Sequence, residues 1–364
     1  MRRLKTVAIN AALVAGSVAL FLLVCELVVF RFVLLASDVP ANDYVDGLVR
    51  YAPRQAGVWR VRNEIAAPYA VNAQGWNSGV GDYGLPRAPG VSRIAVIGDS
   101  YVEALQVTHD QSFAERAAAE LSRDGPVDIF RFGISGAPLS QYLHMAEREV
   151  SRYAPDWIIV VLVHNDFDES LTPVAGRYTS SFLRVRVAGG RVEEIAPQPW
   201  RPGWREALLR TATARYLYYR WQVHPEVLRH LLVPSAHADP LYSANIDVAA
   251  VLRQMPEVSA ATDYLFGRLA AVARAAGARL LLVMDGDRQS IYVGRESGAL
   301  ALNALAADLA RRHGIPFLDL HAAFAADWQK RHERFEHVSD NHWNEHGHAV
   351  VGHAIAQAIR AYAP

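Results

Sequence analysis

Arg93-Ile94-Ala95-Val96-Ile97-Gly98-Asp99-Ser100 is the stretch from which the rest of the chain can be read. Residues 94 to 97 are all apolar, as expected of a strand covered on both faces of a sheet. The glycine that follows lets the backbone turn sharply, and the strand holds the next serine rigidly with its hydroxyl exposed. Ser100 is therefore a candidate nucleophile. A serine hydroxyl attacks an ester only with a base to take its proton and donors to hold the developing oxyanion. The reading depends on whether those groups appear downstream in a workable order.

Around this strand the pattern alternates. Ser112-Phe113-Ala114-Glu115 is a capping box that opens a helix running to about Ser122. Val127 to Phe132 reads as the second strand, Leu139 to Tyr153 as a helix, and Trp157 to Val163 as a third strand, apolar throughout. After a long interruption come a helix over about Val258 to Ala275, a strand from Arg279 to Met284, a helix from Ala299 to Arg312 and a short strand from Pro316 to Leu320. A last helix spans Glu345 to Tyr362, with Val351, Ile355, Ala358 and Tyr362 on one stripe. Such alternation predicts an α/β fold, a three-layer α/β/α sandwich around a parallel sheet.

The interruption covers about 168–246 and follows the third strand, longer than an ordinary connection. Phe182 to Val187 and Arg191 to Ile195, joined by Gly189-Gly190, read as a hairpin. A stretch rich in Pro and Trp follows, then a helical pattern from Glu206 to Trp221 carrying Tyr216, Tyr218 and Tyr219. These aromatics read first as packing of the insertion against the core, and second as a lid or a sugar-stacking platform. Residues 38–92, rich in Pro, Gly and Asn, read as an extended wrap. The expected organisation is 1–37, 38–92 and 93–364, the last carrying the insertion.

The N-terminus reads as a membrane anchor. Arg2, Arg3 and Lys5 precede an apolar run from Val7 to Val24 that continues past Cys25 and Glu26 to Phe30, long enough to span a bilayer. The positive charges favour the N-terminus inside and the bulk of the chain outside the cytoplasmic membrane, periplasmic or extracellular. A cleaved signal peptide is the competing reading, but the run is long and no small-x-small site follows it. Glu26, near the outer end, is expected to snorkel toward the interface. Lys plus Arg and Asp plus Glu each number 37, so no basic surface argues for nucleic acid. With Cys25 alone, neither an internal disulfide nor a Cys-based zinc site is expected.

Ser100, Gly136 and Asn165 each follow a predicted strand, and in open α/β sheets ligands bind at those strand ends, while Asp340 and His342 precede the final helix. Gly136 lies in Phe132-Gly133-Ile134-Ser135-Gly136, where a glycine lets backbone N–H groups approach a ligand. Asn165, in His164-Asn165-Asp166, offers a neutral amide donor. Asp340 and His342, in Asp340-Asn341-His342-Trp343-Asn344, are close enough for the carboxylate to hold Nδ1 and leave Nε2 for the serine. Asn344 suits the N-cap of the last helix. Each motif alone has an ordinary reading as a turn or a cap, and their order and placement together carry the inference. His164, Asp166 and Trp343 are further candidates for substrate contact. His342, His346, His348 and His353 lack a matching carboxylate or cysteine pair, so no metal is expected, nor is any other cofactor. Asp285-Gly286-Asp287-Arg288 ends the fourth strand on the same rim and reads first as a salt-bridged turn, second as a substrate contact.

These blocks resemble the SGNH (GDSL-type) hydrolase superfamily: Gly98-Asp99-Ser100, Gly136, Asn165-Asp166, and Asp340 with His342. The resemblance covers about residues 93 to 362 outside the insertion. It implies an SGNH, flavodoxin-like sheet order, Ser100 as nucleophile, His342 as base oriented by Asp340, and an oxyanion hole from Ser100, Gly136 and Asn165. Tyr101, His164 before the asparagine, and Asp-x-His in place of Asp-x-x-His are departures from the family pattern. The run Asp-x-His-Trp is similar to a branch that includes periplasmic alginate O-acetyltransferases. The resemblance implies a serine ester hydrolase acting on acyl or acetyl esters, with an O-acetylated glycan as substrate. Acetyl transfer to a polysaccharide is the first alternative. A catalytically silent glycan-binding or assembly protein is the second.

Overall fold

The computed structural model describes residues 2–172, 176–223, 246, 248–295 and 297–363. The chain divides into two compact units. One comprises Pro40–Gly57, Ala67–Arg201 and His237–Pro364, the other Met1–Val39, Val58–Ala66 and Pro202–Ala236.

The larger unit is built on five strands: β1 (Ser92–Gly98), β2 (Val127–Gly133), β3 (Trp157–Leu162), β4 (Arg279–Met284) and β5 (Phe317–Asp319). Their order across the sheet is β5-β4-β3-β1-β2, and every pairing is parallel. The α/β sandwich expected from the alternation is the fold observed. Residues on alternate positions, Ile94 and Val96, Ile159 and Val161, Leu281 and Val283, share one buried cluster with the helices Phe113–Leu121 and Glu345–Tyr362. The intervening residues, among them Ala95, Ile97, Val160 and Leu282, are equally buried. They face the side where Leu139–Arg148 and Met255–Ala275 pack. A sheet covered on both faces explains why these strands are apolar without alternation.

The local signals place the helix ends correctly. Ser112 Oγ accepts the Glu115 N–H, and Asn344 Oδ1 accepts the Gly347 N–H at 2.9 Å, so both cap their helices as expected. Several helices are not anticipated by the sequence pattern, among them Leu320–Arg331, after β5, and the short Arg288–Val293, after β4. Residues 38–92 are more ordered than an irregular wrap, with strands at Asn42–Val45, Leu48–Tyr51, Ala56–Val61 and Ile65–Ala70. The expected hairpin is present as Arg184–Ala188 paired with Arg191–Ile195. The part of the insertion at 224–245 lies outside the described residues.

In the smaller unit, the helix Arg2–Val24 continues through wider turns as Cys25–Val33. It is long and apolar enough to cross a membrane. Glu26 does not simply snorkel. Its carboxylate accepts the N–H groups of Ala212 and Thr213 at 2.8 Å each and the Thr213 hydroxyl at 2.9 Å, capping the turn Ala212–Ala214. Arg31 closes on the same carboxylate at 3.2 Å. Phe30 stacks on Tyr216 with centroids 4.5 Å apart, and Trp59 meets Tyr219 edge-on at 5.8 Å. These tyrosines of the insertion thus pack on the N-terminal helix and on Trp59. The sheet core, their expected partner, is not what they touch in these contacts.

Candidate active site

Ser100 opens a helix of four residues, Ser100–Glu103, directly after β1. Asp99 caps it, its carboxylate accepting the Tyr101 N–H at 2.9 Å. Gly98 is required for close approach and not for an unusual dihedral. A Cβ there would lie 2.4 Å from Val102 Cγ2 and 3.3 Å from the Val161 carbonyl. The chain can fold its serine turn tightly against β3 only without that atom.

His342 meets this turn from the loop before the last helix. The Ser100 hydroxyl donates to His342 Nε2 at 2.7 Å. Behind the ring, Nδ1–H donates to Asp340, whose same oxygen accepts the His342 backbone N–H at 2.9 Å. Burial alone would push the imidazole toward neutrality, but the Asp340 carboxylate outweighs it and raises the His342 pKa. Burial also works against the Asp340 charge, yet the paired histidine pulls that pKa down to about 2. The order Ser100, His342, Asp340 is thus a continuous hydrogen-bonded chain with the acid ionised.

The loop is fixed by Arg288, buried completely. Its guanidinium donates to the Asn341 carbonyl at 2.9 Å and to the Tyr101 hydroxyl at 2.7 Å, and pairs with Asp285 at 3.2 Å and Glu336 at 3.4 Å. Tyr101 in turn donates to the Asn341 carbonyl at 2.9 Å. One buried cation therefore ties the residue after the serine to the residue before the histidine. In sequence, Arg288 reads first as half of a salt-bridged turn.

Gly136 sits at φ +72°, a conformation that favours glycine, with open space where a Cβ would be. The Ser135 N–H is taken by Glu103 Oε1 at 3.3 Å and the Ala137 N–H by the Ile134 carbonyl at 3.1 Å, which leaves the intervening Gly136 N–H. Glu103 also accepts the Tyr51 hydroxyl, and Tyr178 donates to the Ser135 carbonyl at 3.1 Å. Burial drives the Glu103 pKa up to about 7 against the opposing Tyr51 bond. Glu103, Tyr51 and Tyr178 are missed by reasoning from sequence. Glu103 stands three residues after the serine on the same short helix, a spacing that could have drawn notice. Nothing local marks Tyr51.

Asn165 follows β3 and donates one amide N–H to Glu169 Oε1 at 3.0 Å. Burial raises Glu169 to about 7 and Asp99 to about 6. Ser100, Gly136, Asn165, Glu169 and His342 all line one cavity of about 360 Å³, with Arg177 and Tyr178 from the insertion.

The three further candidates for substrate contact fare differently. His164 lines the cavity, but it is buried, its Nε2 is bound to Asn303 Oδ1 at 2.9 Å, and burial lowers its pKa. Asp166 and Trp343 are buried outside the lining. Asp166 accepts the Tyr142 hydroxyl at 2.7 Å and the Val163 N–H at 2.8 Å. Trp343 packs in the core against Tyr101 and Phe113 and donates to Asp285 at 3.2 Å. Both serve the scaffold because a backbone N–H and an indole N–H need partners once buried. His346, His348 and His353 contact Asp327, the Phe113 N–H and Glu120 respectively, so they are dispersed over separate partners.

Several solved structures are similar to this chain at a low level. LAE5, an alpha/beta hydrolase from the metagenome of Lake Arreo, Spain, is 14% identical over 77% of this chain and 99% of its own, with a TM-score of 0.42. The acetylxylan esterase Axe2 from Geobacillus stearothermophilus, as a catalytic mutant, is 12% identical over 74% and 94%, with a TM-score of 0.41. Comparison with curated proteins finds no match. The sequence model of the GDSL-like lipase/acylhydrolase family matches residues 96–350, from within β1 to the helix that follows His342. The chain therefore belongs to the GDSL-like lipase/acylhydrolase family of SGNH hydrolases and is an ester-bond hydrolase.

Proposed function

We propose that this hydrolase removes small O-acyl groups, acetyl foremost, from a glycan outside the cytoplasmic membrane to which its N-terminal helix tethers it. Ser100 Oγ attacks the acyl carbon while His342 Nε2 takes the hydroxyl proton. Asp340 holds Nδ1–H and stabilises the imidazolium that forms. The carbonyl oxygen, now an oxyanion, is received by the Ser100 and Gly136 N–H groups and the second amide N–H of Asn165. The tetrahedral intermediate expels the glycan oxygen, which His342 protonates, leaving acyl-Ser100. Water then attacks the acyl carbon, giving its proton to His342, and the free acid leaves with Ser100 restored.

The observation that carries this reading is the 2.7 Å contact between Ser100 Oγ and His342 Nε2 with Asp340 behind it. A cavity of about 360 Å³ supports a small acyl group, since ligand pockets run from about 300 to 1,000 Å³. The likeness of Asp340-Asn341-His342-Trp343 to the alginate O-acetyltransferase branch favours a glycan, and supports transfer to a glycan hydroxyl as a second reading. The test is acetate release from acetylated oligosaccharides by the full chain and by Ser100→Ala, with acetylated and unacetylated acceptor both followed by mass spectrometry. Free acetate from the wild type alone supports hydrolysis. Acetyl appearing on the acceptor supports transfer, and neither product from the wild type overturns the substrate class.

A further inference from the structure

The helix that carries Glu26 also fixes the depth of whatever is bound to it. From Val7, where the charged start ends, to Glu26 is about 30 Å of helix at 1.5 Å per residue, the thickness of a bilayer's hydrocarbon. Glu26 therefore falls at the outer edge of the hydrocarbon, and the turn Ala212–Ala214 is bonded directly to its carboxylate. The Phe30–Tyr216 stack sits one helical turn farther out.

The residues on either side of that turn present apolar side chains that are partly exposed. Trp204 is 73% exposed and Leu208 55%, while Leu217, Tyr218 and Trp221 are about two-fifths exposed. Two helical pieces carry them, Trp204–Leu209 and Arg215–Arg220 with Trp221 just beyond. Arg205 lies 5.4 Å over the Trp204 ring, a cation–π contact that places a positive charge at the same patch. Leu27 and Val28 on the N-terminal helix are likewise about half exposed, so the patch is continuous in character with a lipid-facing helix of the same unit. A water-facing surface this rich in Trp and Leu is unfavourable, whereas Trp and Tyr are at home where hydrocarbon meets headgroups.

We propose that residues 204 to 223 lie in the interfacial layer of the bilayer crossed by the N-terminal helix, with Trp204, Leu208, Leu217 and Trp221 set into lipid. The proposal rests on the anchor reading. The segment then makes a second, lateral attachment beside the spanning helix, and Glu26 is the link that couples the two. This role is neither packing on the sheet core nor a platform for sugars.

The test uses the full chain with Cys25→Ala, reconstituted in phosphatidylethanolamine–phosphatidylglycerol vesicles. Single cysteines at Leu208→Cys, Leu217→Cys, Val14→Cys and Val338→Cys are labelled with the fluorophore NBD. Quenching by lipids brominated along the acyl chain is then read for each. The expected result is loss of emission at 14, 208 and 217, with none at 338. Quenching at 14 but not at 208 or 217 overturns the interfacial proposal while leaving the anchor. Unquenched but blue-shifted emission at 208 and 217 means a protein partner or a second copy covers the patch, which also overturns it. No quenching at 14 removes the anchor and this proposal with it, but leaves the esterase reading untouched.

Discussion

Asp340 holds a histidine two residues away, whereas Glu26 holds backbone groups 186 and 187 residues downstream. Both are carboxylates satisfied by several donors, and each organises its own unit. The first is local, so its chemistry can be read from four consecutive residues. The second is made only when the chain has folded, and nothing near Glu26 in sequence announces it. The contrast separates what a motif encodes from what packing assigns.

The contrast can be broken first at Asp340. Asp340→Asn should keep the loop's geometry but favour the wrong imidazole tautomer, lowering kcat for p-nitrophenyl acetate by about 10⁴-fold. A loss below tenfold would show that His342 needs no carboxylate. Asn165→Ala should lower kcat by about 10²–10³-fold, the cost of one oxyanion donor if Asn165 has the role proposed for it, with KM little changed.

Tyr51→Phe probes a long-range contact inside the site itself. It removes the hydroxyl from buried Glu103, which grips the Ser135–Gly136 turn. The expected cost is about 1–3 kcal/mol of stability. If the turn is also loosened, kcat falls about tenfold at constant KM, equivalent to about 1.4 kcal/mol on the barrier. A purely structural contact would lower the melting temperature and leave kcat alone.

The pH profile follows from the raised His342 pKa. In its proposed role as base the imidazole must be neutral to take the serine proton, so kcat/KM should climb with pH through an apparent pKa above 6.5. Asp340, with a pKa of about 2, stays ionised across that range. Asp99 and Glu103 lose protons between about 6 and 7, and each new negative charge holds the histidine proton more tightly. The limb should therefore be broader than a single titration. The smallest effect on turnover belongs to Glu26→Gln, which should leave ester hydrolysis unchanged while limited proteolysis at 205–215 accelerates. A fall in turnover alongside the faster proteolysis would mean that the two regions are energetically coupled.

The sheet was legible because its strands are buried on both faces and its helices carry ordinary caps, as at Ser112 and Asn344. The helix Leu320–Arg331 was not, because its sequence, LHAAFAADWQKR, spreads apolar and polar residues without a clean stripe. Ser100, Gly136 and Asn165 stood out as motif residues at strand ends, and Asp340 and His342 as a motif before the last helix. Trp343 and Asp166 stood out as members of the same motifs, yet their side chains are buried in the scaffold while their neighbours His342 and Asn165 line the cavity. Tyr51 and Glu169 had no such marker, and the position of Glu103 and the turn holding Arg288 did not disclose their roles, because those come from partners brought together by the fold. The tyrosines of the insertion announced a surface but not its partner, since aromatic spacing is the same whether the helix packs on a sheet or on another helix.

The central claim is that Ser100 forms the covalent intermediate with His342 as its base. Rapid acid quench of the enzyme with p-nitrophenyl acetate, followed by peptide mass spectrometry, tests it directly. The account predicts an acetyl group on the peptide at Ser100 in the wild type, and none on the turnover timescale in Ser100→Ala or His342→Ala. Undiminished turnover in Ser100→Ala, or an acetyl group formed as fast in His342→Ala as in the wild type, would contradict it.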